Sequence, residues 1–183
     1  PPTFLDFRRI LAERVGAVHI AAMAYDTLGG AWLFLDYERG RQYLERCLGI
    51  AHEAGLDGRV VSVHANLGST SCALHRFEEA ERYLTDGLAL TEESDLDIVR
   101  VYMLGWQAIV HLHQGRWETA EAMADEVARR TDVSDHNRVA GLLALGRLRA
   151  RRGDPDGQAA LDEALTLATR SDVRVRRCDD RRS

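Results

Sequence analysis

The stretch "HRFEEAERYLT", residues 75–85, has one counterpart forty residues earlier and another forty later: "LDYERGRQYLE" at 35–45 and "GRWETAEAMAD" at 115–125. In each, an aromatic residue (Tyr37, Phe77 or Trp117) stands at the same place in a run of helix-type sequence. A fixed period of that length marks a solenoid of helix pairs, because each unit can bury its apolar face only against its neighbours. The expected fold is therefore all-α, a right-handed solenoid of antiparallel helix pairs, with about four pairs and a period near 40. Solenoids of this kind usually bind rather than catalyse, through the long surface that stacking creates.

Working outward from this stretch, "VVSVHANLGSTSCAL" (60–74) and "FEEAERYLTDGLALTEE" (77–93) are the two helices of one unit. Val60, Val63, Leu67 and Leu74, then Phe77, Ala80, Leu84, Leu88 and Leu90, recur at helical rather than alternating spacing. Ser94-Asp95 is placed to cap the next helix, "LDIVRVYMLGWQAIVHLHQ", which Gly115 ends before "WETAEAMADEVARR". In the fourth unit, "HNRVAGLLALGRLRARR" leads through Gly153-Asp154-Pro155 to "QAALDEALTLA", with Pro155 suited to the first turn of a helix. The first unit is "VHIAAMAYDTLGGAWLFL" and "YERGRQYLERCLGIAHEAG", closed by Gly55 and Asp57-Gly58. The pairs cover about 19–55, 58–94, 96–131 and 135–170, within a single domain over 1–171. Residues 4–15 read as a partial helix, the second half of a preceding unit, and 172–183 as a disordered basic tail.

Leu67-Gly68 precedes Arg76-Phe77, and Ala80, Leu84 and Leu88 follow. This resembles a tetratricopeptide repeat. Leu28-Gly29 with Asp36-Tyr37, and Leu145-Gly146 with Gly153-Asp154, are similar to the same signature; Trp117 and Ala120 carry a third copy, in which Gln107-Ala108 replaces Leu-Gly. A larger side chain at Gly29, Gly68, Ala80 or Ala120 would hold paired helices apart. The departures are the period, nearer 40 than 34, a residue missing before Asp36, and a short last helix. Over about residues 10–170, runs such as "YERGRQYLERCLGIAHEAGLDGRVVSVHANLGS" and "LGRLRARRGDP" resemble the helical-repeat region of large bacterial LuxR-type ATP-binding transcriptional regulators. The resemblance implies a non-catalytic region that senses a protein or ligand. In that family a nucleotide-binding domain precedes it and a helix-turn-helix domain often follows. Neither activity is expected of this segment.

Composition narrows the alternatives. All 24 basic residues are arginine, which removes the lysine that a P-loop, a Schiff base or serine–lysine chemistry needs. Residues 1–145 carry 14 Arg against 22 acids and residues 146–183 carry 10 Arg against 7, so the body lacks the basic stripe of a nucleic-acid surface. Cys47, Cys72 and Cys178 have no paired spacing, which argues against a disulfide framework or a zinc ribbon. Buried reduced thiols in a cytoplasmic protein are the expectation, with no apolar run long enough to cross a bilayer.

Candidate chemistry is sparse. His111 and His113 are two apart and point to different faces of a helix. "HEAGL" at His52 lacks the second histidine of a helical zinc motif, and "GGAWLF" lacks phosphate-loop spacing. No catalytic set, cofactor or metal site is expected. The binding candidates lie on the first helix of each pair: Asp26, Asn66, Ser69, Tyr102, Trp106, Ile109, His113, Arg147 and Arg151. Tyr102 and Trp106, four apart, could share an aromatic platform, and Arg147 and Arg151 an anion fork. The ordinary structural role for the same residues is a core tryptophan and solvated arginines. A carboxylate clamp built on lysines is disfavoured, since only Asn66 fits one. Expected partners are a protein or peptide, or a small-molecule inducer, but not nucleic acid or membrane. Rival readings are a free-standing adaptor that joins partner proteins, an arginine-rich nucleic-acid solenoid, and an enzyme. Leu161, Leu165 and Leu167 suggest an apolar strip on the last helix that favours self-association.

Overall fold

The computed structural model describes residues 10, 16–92 and 96–180, the last ten through their backbone alone. Among these residues the chain is all-helical: α1 (Val18–Leu33), α2 (Tyr37–Glu53), α3 (Asp57–Ala73), α4 (Phe77–Glu92), α5 (Asp97–His113), α6 (Trp117–Arg129), α7 (Asp135–Arg152) and α8 (Gly157–Asp180). Successive helices pack as antiparallel pairs, α1 with α2, α3 with α4, α5 with α6 and α7 with α8. The first helices of neighbouring pairs also touch, α3 against α5 and α5 against α7. The result is the expected solenoid of helix pairs. The three period-marking aromatics, Tyr37, Phe77 and Trp117, each begin the second helix of a pair.

Small residues set the spacing within pairs. A Cβ on Gly68 would lie 2.6 Å from Leu84 Cγ, one on Gly29 2.4 Å from Leu44 Cγ, and one on Gly146 2.6 Å from Leu161 Cγ. The same contact thus recurs in units one, two and four. Ala80 and Ala120 are fully enclosed on the partner helices. With the helices this close, Leu44, Leu67, Leu84, Met103 and Leu148 lose essentially all contact with solvent. Burying each such side chain contributes on the order of 1.5–3 kcal/mol.

Unlike the turn inside the first pair, the turns inside the second, third and fourth pairs use a left-handed residue. Gly115 (φ 78°) and Gly153 (φ 79°) supply it without steric cost, whereas in the second unit His75 (φ 60°) takes that position. Polar contacts about one repeat apart stitch neighbouring units: Arg76 to Glu38 at 3.0 Å, Tyr83 to Glu45 at 3.1 Å, and Arg116 to Glu81, while Arg130 to Asp97 at 2.5 Å ties together the two helices of the third pair.

Several local expectations need correction. Asp57 and Gly58 do not close the first unit; they open α3, and Gly55 alone makes the left-handed turn. Ser94 and Asp95 lie outside the described residues, and the N-cap of α5 is Leu96, with no side-chain cap. Pro155 sits in the turn before α8 rather than in its first helical turn. Leu74 and Leu90 are exposed, and Thr91 takes the buried position that helical geometry assigns next to Leu88. Helix α8 continues to Asp180, past the irregular tail expected from about residue 172. Its apolar strip is not free either: Leu161 lies against Gly146, Leu167 packs with Leu142, and of the three leucines only Leu165 is exposed. Self-association through that strip would rest on Leu165 alone of the three leucines. The partial helix expected over 4–15 lies outside the described residues except for Ile10.

Candidate functional site

Because α3, α5 and α7 lie side by side, their free sides form one continuous face. Helical position puts Asn66 and Ser69 of α3, Tyr102, Trp106, Ile109 and His113 of α5, and Arg147 and Arg151 of α7 on this side, with Ser69 and Ile109 buried in it rather than exposed. At its centre the Tyr102 hydroxyl lies beside the Ser69 hydroxyl and the Trp106 indole. Burial raises the Tyr102 pKa, and these two neighbours offset part of that rise. The Trp106 Nε1 atom is buried and closes no hydrogen bond of good geometry. An orphaned donor of this kind costs about 1–3 kcal/mol until something accepts from it.

Tyr102 and Trp106 do not form the flat platform expected from their spacing. Their rings meet edge to face, 6.2 Å apart at 66°, and Tyr102 stacks instead on His136 at 5.4 Å and 22°. The corner they make opens a cavity of about 200 Å³, walled by Tyr102, Trp106, Ile109, Val139, Leu143 and Ala168, with His136 at its side. Behind it, the Cys72 thiol faces the Trp106 carbonyl at 3.9 Å. Burial pushes the Cys72 thiol up to about 12 and the Cys47 thiol up to about 11. Neither is a nucleophile in the folded protein. Cys178 falls among the residues described by backbone alone.

Next to the cavity the face becomes cationic. His113 stacks on Phe77 at 4.5 Å and 20°, and His75 meets both rings edge-on at 5.6 and 6.0 Å. Burial first, then the charges of Arg147 and Arg151, holds the His113 imidazole below its usual pKa. The charge of Arg147 also offsets part of the burial that raises the Cys72 thiol. The structure thus brings Ser69, Tyr102, Trp106 and Ile109 together, with His113, Arg147 and Arg151 beside them. Asp26 does not join them. It pairs with Arg59 of α3, and its other oxygen is buried without a partner, so it ties the first pair to the second.

His136, Val139, Ala140, Leu143 and Ala168 complete the cavity and were missing from the sequence candidates. His136 follows Tyr102 by 34 residues, short of the repeat near 40, so the period gave no signal for it. Ala168 carried none either, because its place depends on how α8 folds back over α7. Among the described residues no three His, Cys, Asp or Glu side chains group in a way that could hold a metal ion. No helix of the described residues is long and apolar enough to cross a membrane.

Twelve chains of solved structure match this one. Among them is the crystal structure of BtubC (BKLC) from P. vanneervenii, with a TM-score of 0.66 and 17% sequence identity over 85% of this chain. The chain spans 66% of that chain's length. At this identity the likeness establishes the helical-repeat fold alone. No family model matches the sequence. No curated protein matches it either.

Proposed function

We propose that this chain is a non-catalytic binding region that takes a protein segment or ligand on the face formed by α3, α5 and α7. The observation that carries this reading is the cavity beside Trp106, whose apolar wall at Leu143 lies one helical turn from Arg147, an exposed cation with no ion-pair partner among the described residues. A pocket with apolar walls and a few placed polar groups is the usual form of a binding site. The resemblance over residues 10–170 supports the further proposal that the region is the sensor of a LuxR-type transcriptional regulator, in which occupancy of this face alters the activity of attached domains. A free-standing adaptor would use the same face and differ only in what it is joined to.

Two measurements test this. Peptide arrays and a metabolite screen by thermal shift should return ligands that Leu143→Gln abolishes while the helical signal is retained. Ligands indifferent to Leu143→Gln and to Trp106→Phe would place the site elsewhere. Sequencing the gene on both sides separates regulator from adaptor: a nucleotide-binding motif upstream or a helix-turn-helix downstream supports the first, and neither supports the second.

A further inference from the structure

Near its C-terminal end α7 carries Arg147, Arg149, Arg151 and Arg152, and they divide into two sets. Arg149 reaches Asp125 at 3.3 Å and Arg152 reaches Glu121 at 2.6 Å, both across to α6. Arg147 and Arg151 are exposed on the binding face and have no ion-pair partner among the described residues, in a chain whose net charge is −5. One turn before Arg147, Leu143 forms a wall of the cavity. Apolar hole, cation and cation therefore follow one another along a single helix.

Helical rise puts Arg147 about 6 Å and Arg151 about 12 Å beyond Leu143 along the axis. An extended chain advances about 3.3 Å per residue, so these offsets match about two and four residues, whose side chains point the same way. The cavity volume also discriminates. A site of roughly 150 Å³ holds a benzene ring, whereas drug-sized ligands need about 300–1,000 Å³. At about 200 Å³ this cavity takes one side chain, not a whole ligand.

We propose that the face binds an extended acidic peptide that seats one phenylalanine- or leucine-sized side chain in the cavity and sets carboxylates, two and four residues away, on Arg147 and Arg151. This deepens the binding reading above and rests on it. Guanidinium and carboxylate match as paired planar forks, which favours this occupant over a more weakly complementary neutral chain. A nucleic acid is the weaker occupant, since a phosphate chain needs a continuous basic track and this face is cationic only at one end.

The test is fluorescence anisotropy with labelled peptides in a Gly/Ser background, carrying Phe-x-Glu-x-Glu or the reverse order. Controls replace Glu by Gln, replace Phe by Gly, or shift the acids by one position, and include a single-stranded oligonucleotide. The proteins are wild type, R147Q/R151Q and the paired-arginine control R149Q/R152Q, each checked for helicity and melting. One order of the acidic peptide should bind. R147Q/R151Q should weaken it at least about tenfold, R149Q/R152Q by less than about threefold, and added salt should weaken it further. The Phe→Gly peptide probes the cavity without altering the protein. Equal binding of the Gln peptide or of the shifted spacing, undiminished binding by R147Q/R151Q, or preference for the oligonucleotide overturns the proposal. A random peptide array run on the same proteins and on L143Q separates the two levels of inference. Neutral peptides that need Leu143 but not the arginines sink the acidic motif and leave the binding face standing. Binding that ignores Leu143 as well sinks both.

Discussion

Gly68 offers the sharpest quantitative test of the packing. Replacing a helix-interior glycine by alanine normally stabilises by about 1 kcal/mol, because backbone freedom in the unfolded chain is reduced. At Gly68 the new Cβ would stand 2.6 and 2.7 Å from Leu84 Cγ and Cδ2, and 3.3 Å from the Leu84 backbone nitrogen. Rotating Leu84 cannot relieve all three contacts, since one is to backbone and Leu84 is itself wholly buried. Overpacking of this kind costs about 1–3 kcal/mol, so Gly68→Ala should be neutral to destabilising by about 2 kcal/mol despite its better propensity. Gly49 is the internal control: it lies inside α2, and a Cβ there meets nothing within 4 Å. Gly49→Ala should stabilise by up to about 1 kcal/mol. Urea unfolding followed by circular dichroism measures both, with slopes compared because repeat arrays can depart from two-state behaviour. For a domain of this size each kcal/mol moves the melting temperature by about 2–4 °C. Leu84→Ala alone should cost about 2–5 kcal/mol, and adding Gly68→Ala to it should cost less than in the wild type, because the clash partner is gone. If Gly68→Ala and Gly49→Ala stabilise equally, the close approach of α3 and α4 is refuted.

Trp106→Phe should keep the fold and remove the buried N–H, raising stability by up to about 1 kcal/mol; a large loss of stability would mark the indole as a core strut instead. Burial is the leading cause that holds both His64 and His111 below the usual imidazole value, so the unfolded chain takes up protons that the folded chain refuses. Stability from these groups is complete above about pH 6.5 and falls as pH drops from there toward the folded values; a urea midpoint that rises between pH 7.5 and 5.5 would contradict this. The carboxylates held low by arginine, such as Asp132 at about 2, lose their contribution only in a more acidic window. Cys47 and Cys72 should react with a thiol reagent at the rate of unfolding rather than of simple exposure, and prompt labelling of either at neutral pH would show that α1–α3 opens locally.

The repeat was legible because a solenoid solves one packing problem several times, so the same small residue falls opposite the same leucine in unit after unit. Gly29 against Leu44, Gly68 against Leu84 and Gly146 against Leu161 are three instances of one contact. What a single period could not show is which polar residues are already committed. Asp26 looked available for a ligand, yet Arg59 claims it from the next helix pair. Leu161 and Leu167 looked like a bare strip, yet α8 turns both inward. The cavity was illegible for a related reason, since its walls come from α5, α7 and α8 and meet only once three helices are placed.

The arginines of α7 lie between these extremes. Columns spaced by about one repeat, Ser69–Ile109–Arg147 and Ala73–His113–Arg151, follow from the sequence and assign the second pair of cations to the binding face. With about 100° per residue, Arg147 and Arg151 fall within about 40° of each other, Arg149 and Arg152 within about 60°, and Arg147 and Arg149 about 160° apart. Helical periodicity by itself therefore separates the two sets. That Asp125 and Glu121 stand opposite only one of them follows from where α6 packs, and that asymmetry leaves Arg147 and Arg151 with charge to offer a partner.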